Sequence, residues 1–313
     1  MPASERALIA SFRRQASVGR GVLKGIGDDC AILRVPPGHE TLVTTDFSLE
    51  GRHFCRDWHS PEFIGHRCLT RGLSDIAAMG GVPIAAFLSL ALPPKLPQAW
   101  ANRFMKGLLS LASRHHVTLA GGDTAQSPSG VLADIFVLGS VPRGKAILRS
   151  GAKPGDAIYV TGSLGASAAW LKELLHGQEP DRMPQSRFPQ PRLQTAQFLR
   201  QKNLATSMID LSDGLSTDLS HICQESRVGA ELWQDAIPRA TIRKSKVSLE
   251  AALHGGDDYE LLFTAPERKA IPNQIAGVSA KKIGRITSGQ KMVLLTGAGI
   301  KVLKPQGWQH FEK

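Results

Sequence analysis

The stretch PEFIGHRCLTRGLSDIAAMGGVPIAAFLSLAL, residues 61–92, decides the fold. Its first part sets Phe63, Ile64, Cys68, Leu69, Leu73, Ile76 and Ala77 at helical spacing, and Gly80-Gly81 closes the pattern. Residues 82–92 then read as an apolar strand. A helix feeding a strand through a glycine turn is a building block of layered α/β architecture. Within the helix stands Asp75, where a simple capping role is awkward. One reading is a solvated helix face. The other is a buried edge, because Leu73, Ile76 and Ala77 beside it are apolar. A carboxylate at a buried edge needs a metal or a hydrogen-bond donor.

The same alternation extends in both directions. Residues 4–16 read as a short amphipathic helix and residues 19–29 as turns. Strands are expected at 30–35 and 41–45, a helix at 97–115, and strands at 117–120 and 131–141. Punctuation thickens at Ser150-Gly-Ala-Lys-Pro-Gly-Asp156, which divides the chain into domains 1–148 and 149–313. The second domain reads as strand 157–161, helix 164–176, a Pro-rich loop 179–191 and a helix to Lys202. Strand 206–209, helix 215–226, strands 230–233 and 259–264, and short strands to Leu303 follow. The fold class is α/β (α+β) in two domains, the first with a mixed sheet.

Composition narrows the function. The 313 residues carry a formal net charge of +11, which admits nucleic acid, anionic membranes or anionic metabolites. The densest basic run, residues 239–246, has no interleaved aromatics, and only 6% of the chain is aromatic, so a base-stacking surface is disfavoured. No apolar run reaches the ~18–20 residues of a membrane span. The N-terminus reads as an ordinary helix rather than a secretory leader, and the expected location is the cytoplasm. Cys30, Cys55, Cys68 and Cys223 form no zinc spacing and read as free thiols packed as small hydrophobes. Gly139-Ser-Val-Pro-Arg-Gly-Lys-Ala146 approaches a phosphate-loop pattern, but Ala146 lacks the metal-binding hydroxyl and no helix follows.

The acidic residues, by contrast, gather in short motifs with a common syntax: an apolar strand meets an Asp at a turn. Asp28-Asp29 precede a strand, Thr44-Thr45-Asp46 end one, and Gly121-Gly122-Asp123 and Asp210-Leu-Ser-Asp213 follow others. One such Asp is ordinarily a cap or turn residue. Several carboxylates brought together would repel, and hard cations relieve that repulsion. Mg²⁺ takes oxygen ligands and bridges carboxylates to phosphates, and the Thr44 and Thr45 hydroxyls suit the same shell. Taken together, the motifs point to a multi-metal phosphate site.

The ordered set Gly25-Ile-Gly-Asp-Asp-Cys-Ala31, Thr44-Thr-Asp46, Gly51-Arg-His-Phe54, Leu73-Ser-Asp-Ile-Ala-Ala-Met-Gly80, Gly121-Gly-Asp-Thr124, Arg149-Ser-Gly-Ala-Lys-Pro-Gly-Asp156, Ile209-Asp-Leu-Ser-Asp-Gly-Leu215 and Gly255-Gly-Asp-Asp-Tyr-Glu-Leu261 closely resembles the thiamine-monophosphate kinase family. The resemblance implies a fold shared with aminoimidazole ribonucleotide synthetase, a homodimer formed by the N-terminal domain, and ATP held between that domain's sheet and the C-terminal domain. It implies magnesium ligands at Asp29, Thr44, Thr45, Asp46, Asp75, Asp123, Asp210 and Asp213, several of them through water. Nucleotide contacts are implied at Gly122, Asp123, Arg149, Ser212 and His115. Substrate contacts are implied at His53, Asp257, and Trp308 or Phe311. On their own residues, Arg149 reads equally as a surface ion-pair member, and Trp308 and Phe311 as a tail packed on the core. The chain departs from the family pattern at Gly72 (usually Asn), His115 (often Tyr) and Asp257 (usually Glu).

The implied reaction joins the γ-phosphoryl of ATP to thiamine monophosphate, with several Mg²⁺ ions as cofactors. The acceptor phosphate has a second pKa near ~6 and is already nucleophilic at neutral pH. No general base or covalent nucleophile is therefore expected. The alternatives are a sister enzyme resembling aminoimidazole ribonucleotide synthetase, a metal-dependent phosphohydrolase, or a basic nucleic-acid-binding module.

Overall fold

The computed structural model describes residues 5–16, 18–177, 188–308 and 311. These fall into two compact units, the first drawn chiefly from the chain up to Gly144 and the second from Lys145 onward. Among the described residues no helix is long and apolar enough to cross a membrane.

The first unit begins with α1 (Glu5–Gln15) and a two-stranded hairpin, β1 (Val22–Lys24) with β2 (Ile32–Leu33). Its main sheet contains β3 (His39–Leu49), β4 (Val82–Leu92), β5 (Thr118–Gln126) and β6 (Leu132–Pro142), in the order β3-β6-β4-β5. β6 pairs antiparallel with both β3 and β4, whereas β4 and β5 are parallel. α2 (Pro61–Ala78) connects β3 to β4, and α3 (Gln98–Arg114) connects β4 to β5. Both connections join parallel strands, which need a long crossover rather than a hairpin. The mixed sheet expected of the first domain is therefore present. Ala133, Ile135 and Val137 of β6 are buried, and α2 lies against this face. A Cβ on Gly72 would stand 2.5 Å from Val137 Cγ2, so the helix backbone is seated directly on the strand. Val43 and Phe47 of β3 point the other way and are 58% and 55% exposed.

The second unit contains β7 (Asp156–Thr161), α4 (Ala166–Leu175), α5 (Leu193–Gln201), β8 (Ser207–Asp210), α6 (Leu215–Ser226) and β9 (Gly229–Trp233). A small hairpin of β10 (Thr241–Ile242) and β11 (Ser245–Lys246) follows, then α7 (Leu249–His254). β12 (Leu261–Pro266), β13 (Gln274–Ile275), β14 (Val278–Thr287), β15 (Met292–Thr296) and β16 (Gly299–Val302) complete it. The main sheet runs β16-β15-β9-β14-β7-β12-β8, with β13 on β14, and is antiparallel except where β15 meets β9. Leu215, Leu219, Ile222 and Cys223 of α6 pack into one core with Ile158, Val160, Ile209, Leu262 and Ile283. α7 was not legible from apolar spacing, because six residues make too little pattern. Its start is fixed by Ser248, whose Oγ accepts from the Ala251 N–H at 3.1 Å.

Two motifs sit differently from the strand-end syntax. β3 continues past Asp46 to Leu49, paired throughout with β6, and β5 continues through Gly121-Gly122-Asp123 to Gln126, paired with β4. Both carboxylates are therefore within strands. Gly122 has φ +146, and a Cβ there would overlap the Leu88 carbonyl, so the strand passes this point only as glycine. The cysteines also divide. Cys68 and Cys223 are buried thiols, pushed up to about 12 by burial, while Cys30 is exposed and is not packed as a small hydrophobe.

Candidate active site

In the first unit, strand alternation sorts the Thr44-Thr45-Asp46 motif. Successive side chains of a strand point to opposite faces. Thr44 and Asp46 face α2, where Thr44 Oγ1 donates to Asp75 Oδ2, and Arg71 Nη2 reaches Asp46 Oδ1 at 3.1 Å. Thr45 points to the other face and donates to Asp134 Oδ1 at 2.7 Å. Asp134 pairs in register with Ser89 of β4, and Ser89 with Asp123 of β5, so Thr45, Asp134 and Asp123 lie on one sheet face. Asp75 thus has a donor at a half-buried position, as expected of a buried edge rather than a solvated one.

A cavity of about 810 Å³ lies in the same unit, lined by Phe12 of α1, the 26–31 loop, Phe87, and Gly121 to Thr124 of β5. Asp29, Gly122 and Asp123 share it; Asp46, Asp75 and His115 are not among its lining residues. Asp28 is held below the usual carboxylate range by the Asp29 N–H and by Lys24, whose Nζ is 3.3 Å away. His115 closes α3, and burial together with Arg114 pushes its pKa down to about 4, so the ring is neutral. His53 stands in the turn after β3. Its Nδ1 accepts the Leu49 N–H at 3.0 Å, which leaves Nε2 to carry the proton of the neutral ring, and Arg67 donates to its carbonyl at 2.6 Å.

In the second unit, Asp210 ends β8 almost fully buried, and Ser212 and Asp213 follow in the turn into α6. Asp218, one turn into the helix, accepts from the Asp213 N–H at 3.2 Å and the Gly214 N–H at 3.0 Å. Burial raises its pKa, and the charges of Asp210 and Asp213 raise it further. Asp213, Asp218 and His221 hold potential ligand atoms within 4.8 Å of one another. Burial lowers the His221 pKa, and the nearby Arg149 charge lowers it further. Arg149 belongs to a turn fixed by Ser226 Oγ, which donates to the Arg149 carbonyl at 3.0 Å and accepts the Gly151 and Ala152 N–H groups at 3.1 Å.

The 255–260 loop is joined to this turn by backbone bonds of 2.8 Å: Asp257 N–H to Ser212 O, Tyr259 N–H to Leu211 O, and Leu211 N–H to Glu260 O. Asp257 therefore stands beside the Asp210–Asp213 motif. Asp258 turns away to accept the Gly165 N–H at 2.8 Å, and burial pushes its carboxyl up to about 8. Glu260 is buried and held by Arg192 at 2.5 Å and 2.7 Å and by Thr161 Oγ1 at 2.6 Å. The C-terminal segment docks on the same turn: Gly307 N–H donates to Thr217 Oγ1 and Trp308 N–H to Asp213 O, both at 3.0 Å. Trp308 is thereby brought to the motif, while Phe311 is fully exposed.

Asp134, Asp218 and His221 escaped the sequence reading, which quoted Asp258 and Tyr259 in the 255–261 motif but gave them no role. Asp218 and His221, three residues apart on a helix that starts at an Asp-rich turn, carried a usable signal. Asp134 carried none, since only the sheet register, which sets it opposite Phe47, brings it within diagonal reach of Thr45. The donor set is of hydroxyl and carboxylate oxygens with the His221 ring nitrogen, and the Asp218 pKa is raised first by burial and then by the charges of Asp210 and Asp213. Such a set fits a hard divalent cation.

Two family models match the chain: the AIR synthase related protein N-terminal domain over residues 27–141 and the corresponding C-terminal domain over residues 153–296. A thiamine-monophosphate kinase of Salmonella typhimurium is 38% identical, covering 99% of both chains. The crystal structure of thiamine-monophosphate kinase from Stenotrophomonas maltophilia is 33% identical, covers 94% of this chain and 97% of its own, and superposes with a TM-score of 0.82. AaThiL complexed with AMPPCP and TMP is 30% identical with a TM-score of 0.78, over 89% of each chain.

Proposed function

This chain belongs to the thiamine-monophosphate kinase family, and on that premise we propose that it phosphorylates thiamine monophosphate to thiamine diphosphate with ATP. An oxygen of the acceptor phosphate forms a bond to the γ-phosphorus of ATP, in line with the breaking bond to ADP. The acceptor dianion needs no base; the difficulty is bringing two polyanions together. Several magnesium ions, held by Asp29, Thr44, Thr45, Asp46, Asp75, Asp123, Asp210 and Asp213, would neutralise and align them.

The chain's own residues divide the remaining work. Gly122 and Asp123 contact the nucleotide from β5, Arg149 and Ser212 contact its phosphates, and His53 donates from Nε2 to the acceptor. Asp257 and Trp308 form the acceptor site, with Phe311 as the second aromatic of the same tail. His115, whose ring is neutral and which is not among the cavity's lining residues, is the remaining proposed nucleotide contact. The observation that carries the reading is the cavity that joins Asp29 and Asp123 to a strand with no space for a side chain at Gly122. The relative solved with AMPPCP and TMP supports the same pair of ligands. The exposed apolar face of β3, with Val43 and Phe47, supports a homodimer through the first unit. The reaction is assigned to the cytoplasm.

The test is purified protein with ATP, Mg²⁺ and thiamine monophosphate, with thiamine diphosphate measured by mass. Product is expected only with all three. ADP formed equally without the acceptor would favour the phosphohydrolase, and full activity in excess chelator would remove the metals.

A further inference from the structure

β3 and α2 meet through two polar rungs. Thr44 and Asp46 are alternate residues of the strand face that looks at the helix, and Arg71 and Asp75 are one helical turn apart. Thr44 bonds Asp75, and Arg71 bonds Asp46 at 3.1 Å. The Arg71 and Asp46 side chains are only 17% and 24% exposed, so this ion pair is shielded from solvent. It is enabled by Gly72. With no side chain there, α2 sits close enough to β6 that even a Cβ would crowd Val137. The guanidinium is a permanent cation and cannot neutralise itself to make way for another.

We propose that Arg71 is a resident counter-ion of Asp46: it holds that carboxylate in the metal-free chain and sets the affinity with which a divalent cation can claim it. The inference rests on the reading of Asp46 as a metal ligand. A cation arriving at Asp46 meets a fixed positive charge and must displace a shielded ion pair, so affinity is weaker than the carboxylates alone would give. In exchange, the metal-free chain keeps a positive charge on the shielded Asp46 carboxylate. Arg71 is thus a positioning residue whose effect is on cation loading.

The test uses the full chain and Mn²⁺ as the probe, with bound metal counted by electron paramagnetic resonance and thermal unfolding followed with and without saturating metal. Arg71→Met should bind Mn²⁺ about tenfold more tightly, melt lower without metal, and recover most of that loss with it. Arg71→Lys, which keeps the charge, should stay near the wild type. In an Asp46→Asn background the Arg71→Met gain should vanish. Equal loss of melting temperature with and without metal, at unchanged Mn²⁺ affinity, would make Arg71 merely structural. Weaker Mn²⁺ binding in Arg71→Met would reverse its sign. No Mn²⁺ lost on Asp46→Asn, in either background, would overturn the inference together with the metal assignment of Asp46.

Discussion

The Tyr259 hydroxyl donates to Asp257 Oδ1 at 2.7 Å, across two residues that both hold left-handed backbone, with φ +51 and +63. Non-glycine residues adopt that conformation at a cost and keep it only where surrounding bonds impose it. Here they do, through the Asp257 and Tyr259 N–H bonds to the Ser212 and Leu211 carbonyls. The family resemblance implies Glu at this position, so Asp257 is one methylene shorter, and its orientation matters more. Tyr259→Phe removes one hydrogen bond of about 0.5–1.5 kcal/mol. The expected result is a KM for thiamine monophosphate raised roughly 3–10-fold, with ATP binding unchanged. An unaltered KM would show that Asp257 needs no orienting partner.

Gly72 makes the opposite kind of prediction, since restoring the usual residue should harm this chain. Gly72→Asn drives a side chain into Val137, whose Cγ2 would lie 2.5 Å from the new Cβ. Overpacking of this kind costs about 1–3 kcal/mol. Val137→Ala should relieve part of the clash, so the two substitutions should couple favourably in a urea-unfolding double-mutant cycle. Additive losses would mean that α2 can shift away from β6 without strain.

Asp258 supplies a pH dependence. Its carboxyl is raised by burial from an ordinary 3.8 to about 8, with the charges of Glu260 and Asp257 adding to the shift. The folded chain therefore binds this proton more tightly than the unfolded chain does. The sign follows: its contribution to stability is most favourable below pH 3.8 and is lost as pH rises to about 8, above which it stays constant. Asp258→Asn keeps an acceptor for the Gly165 N–H and cannot ionise. Urea midpoints at pH 5.5 and pH 8.5, roughly spanning the upper part of that window, should differ less in the variant than in the wild type. At the higher pH the variant should be the more stable. Parallel profiles would mean that Asp258 is ionised throughout.

The long helices and strands of the first unit were legible because their apolar residues keep one period over long runs, as in 61–78 and 82–92, whereas the three-residue β1 lies in a stretch, 19–29, that reads as turns. What periodicity could not supply was register. Asp46 and Asp123 looked like strand-end residues because polar and glycine residues interrupt the apolar run there, yet backbone pairing continues through both. For the same reason the sequence could not show that Thr44 and Thr45 face opposite sides, or that Asp134 meets Thr45 across the sheet. Asp218 and Asp258 were missed because each is read locally as one acid among several. Their burial comes from α6 and from the 255–260 loop folding back on Leu211.

Asp75 and His53 separate metal from acceptor roles. Asp75→Asn retains an oxygen that can accept from Thr44 Oγ1, so the rung between β3 and α2 survives and the fold should persist. The neutral amide cannot share a divalent cation as a carboxylate does, and turnover should fall at least ~100-fold. His53→Ala acts at two levels. It removes the Nδ1 acceptor of the Leu49 N–H, which should cost about 1 kcal/mol of stability. It also removes the Nε2 donor, which should raise the KM for thiamine monophosphate while Mg·ATP affinity stays at the wild-type value. Calorimetry with Mg·ATP beside steady-state kinetics in both substrates distinguishes the two variants. Wild-type turnover in Asp75→Asn would remove that residue from the metal site. Lost nucleotide binding with an intact acceptor KM in His53→Ala would move His53 to the nucleotide.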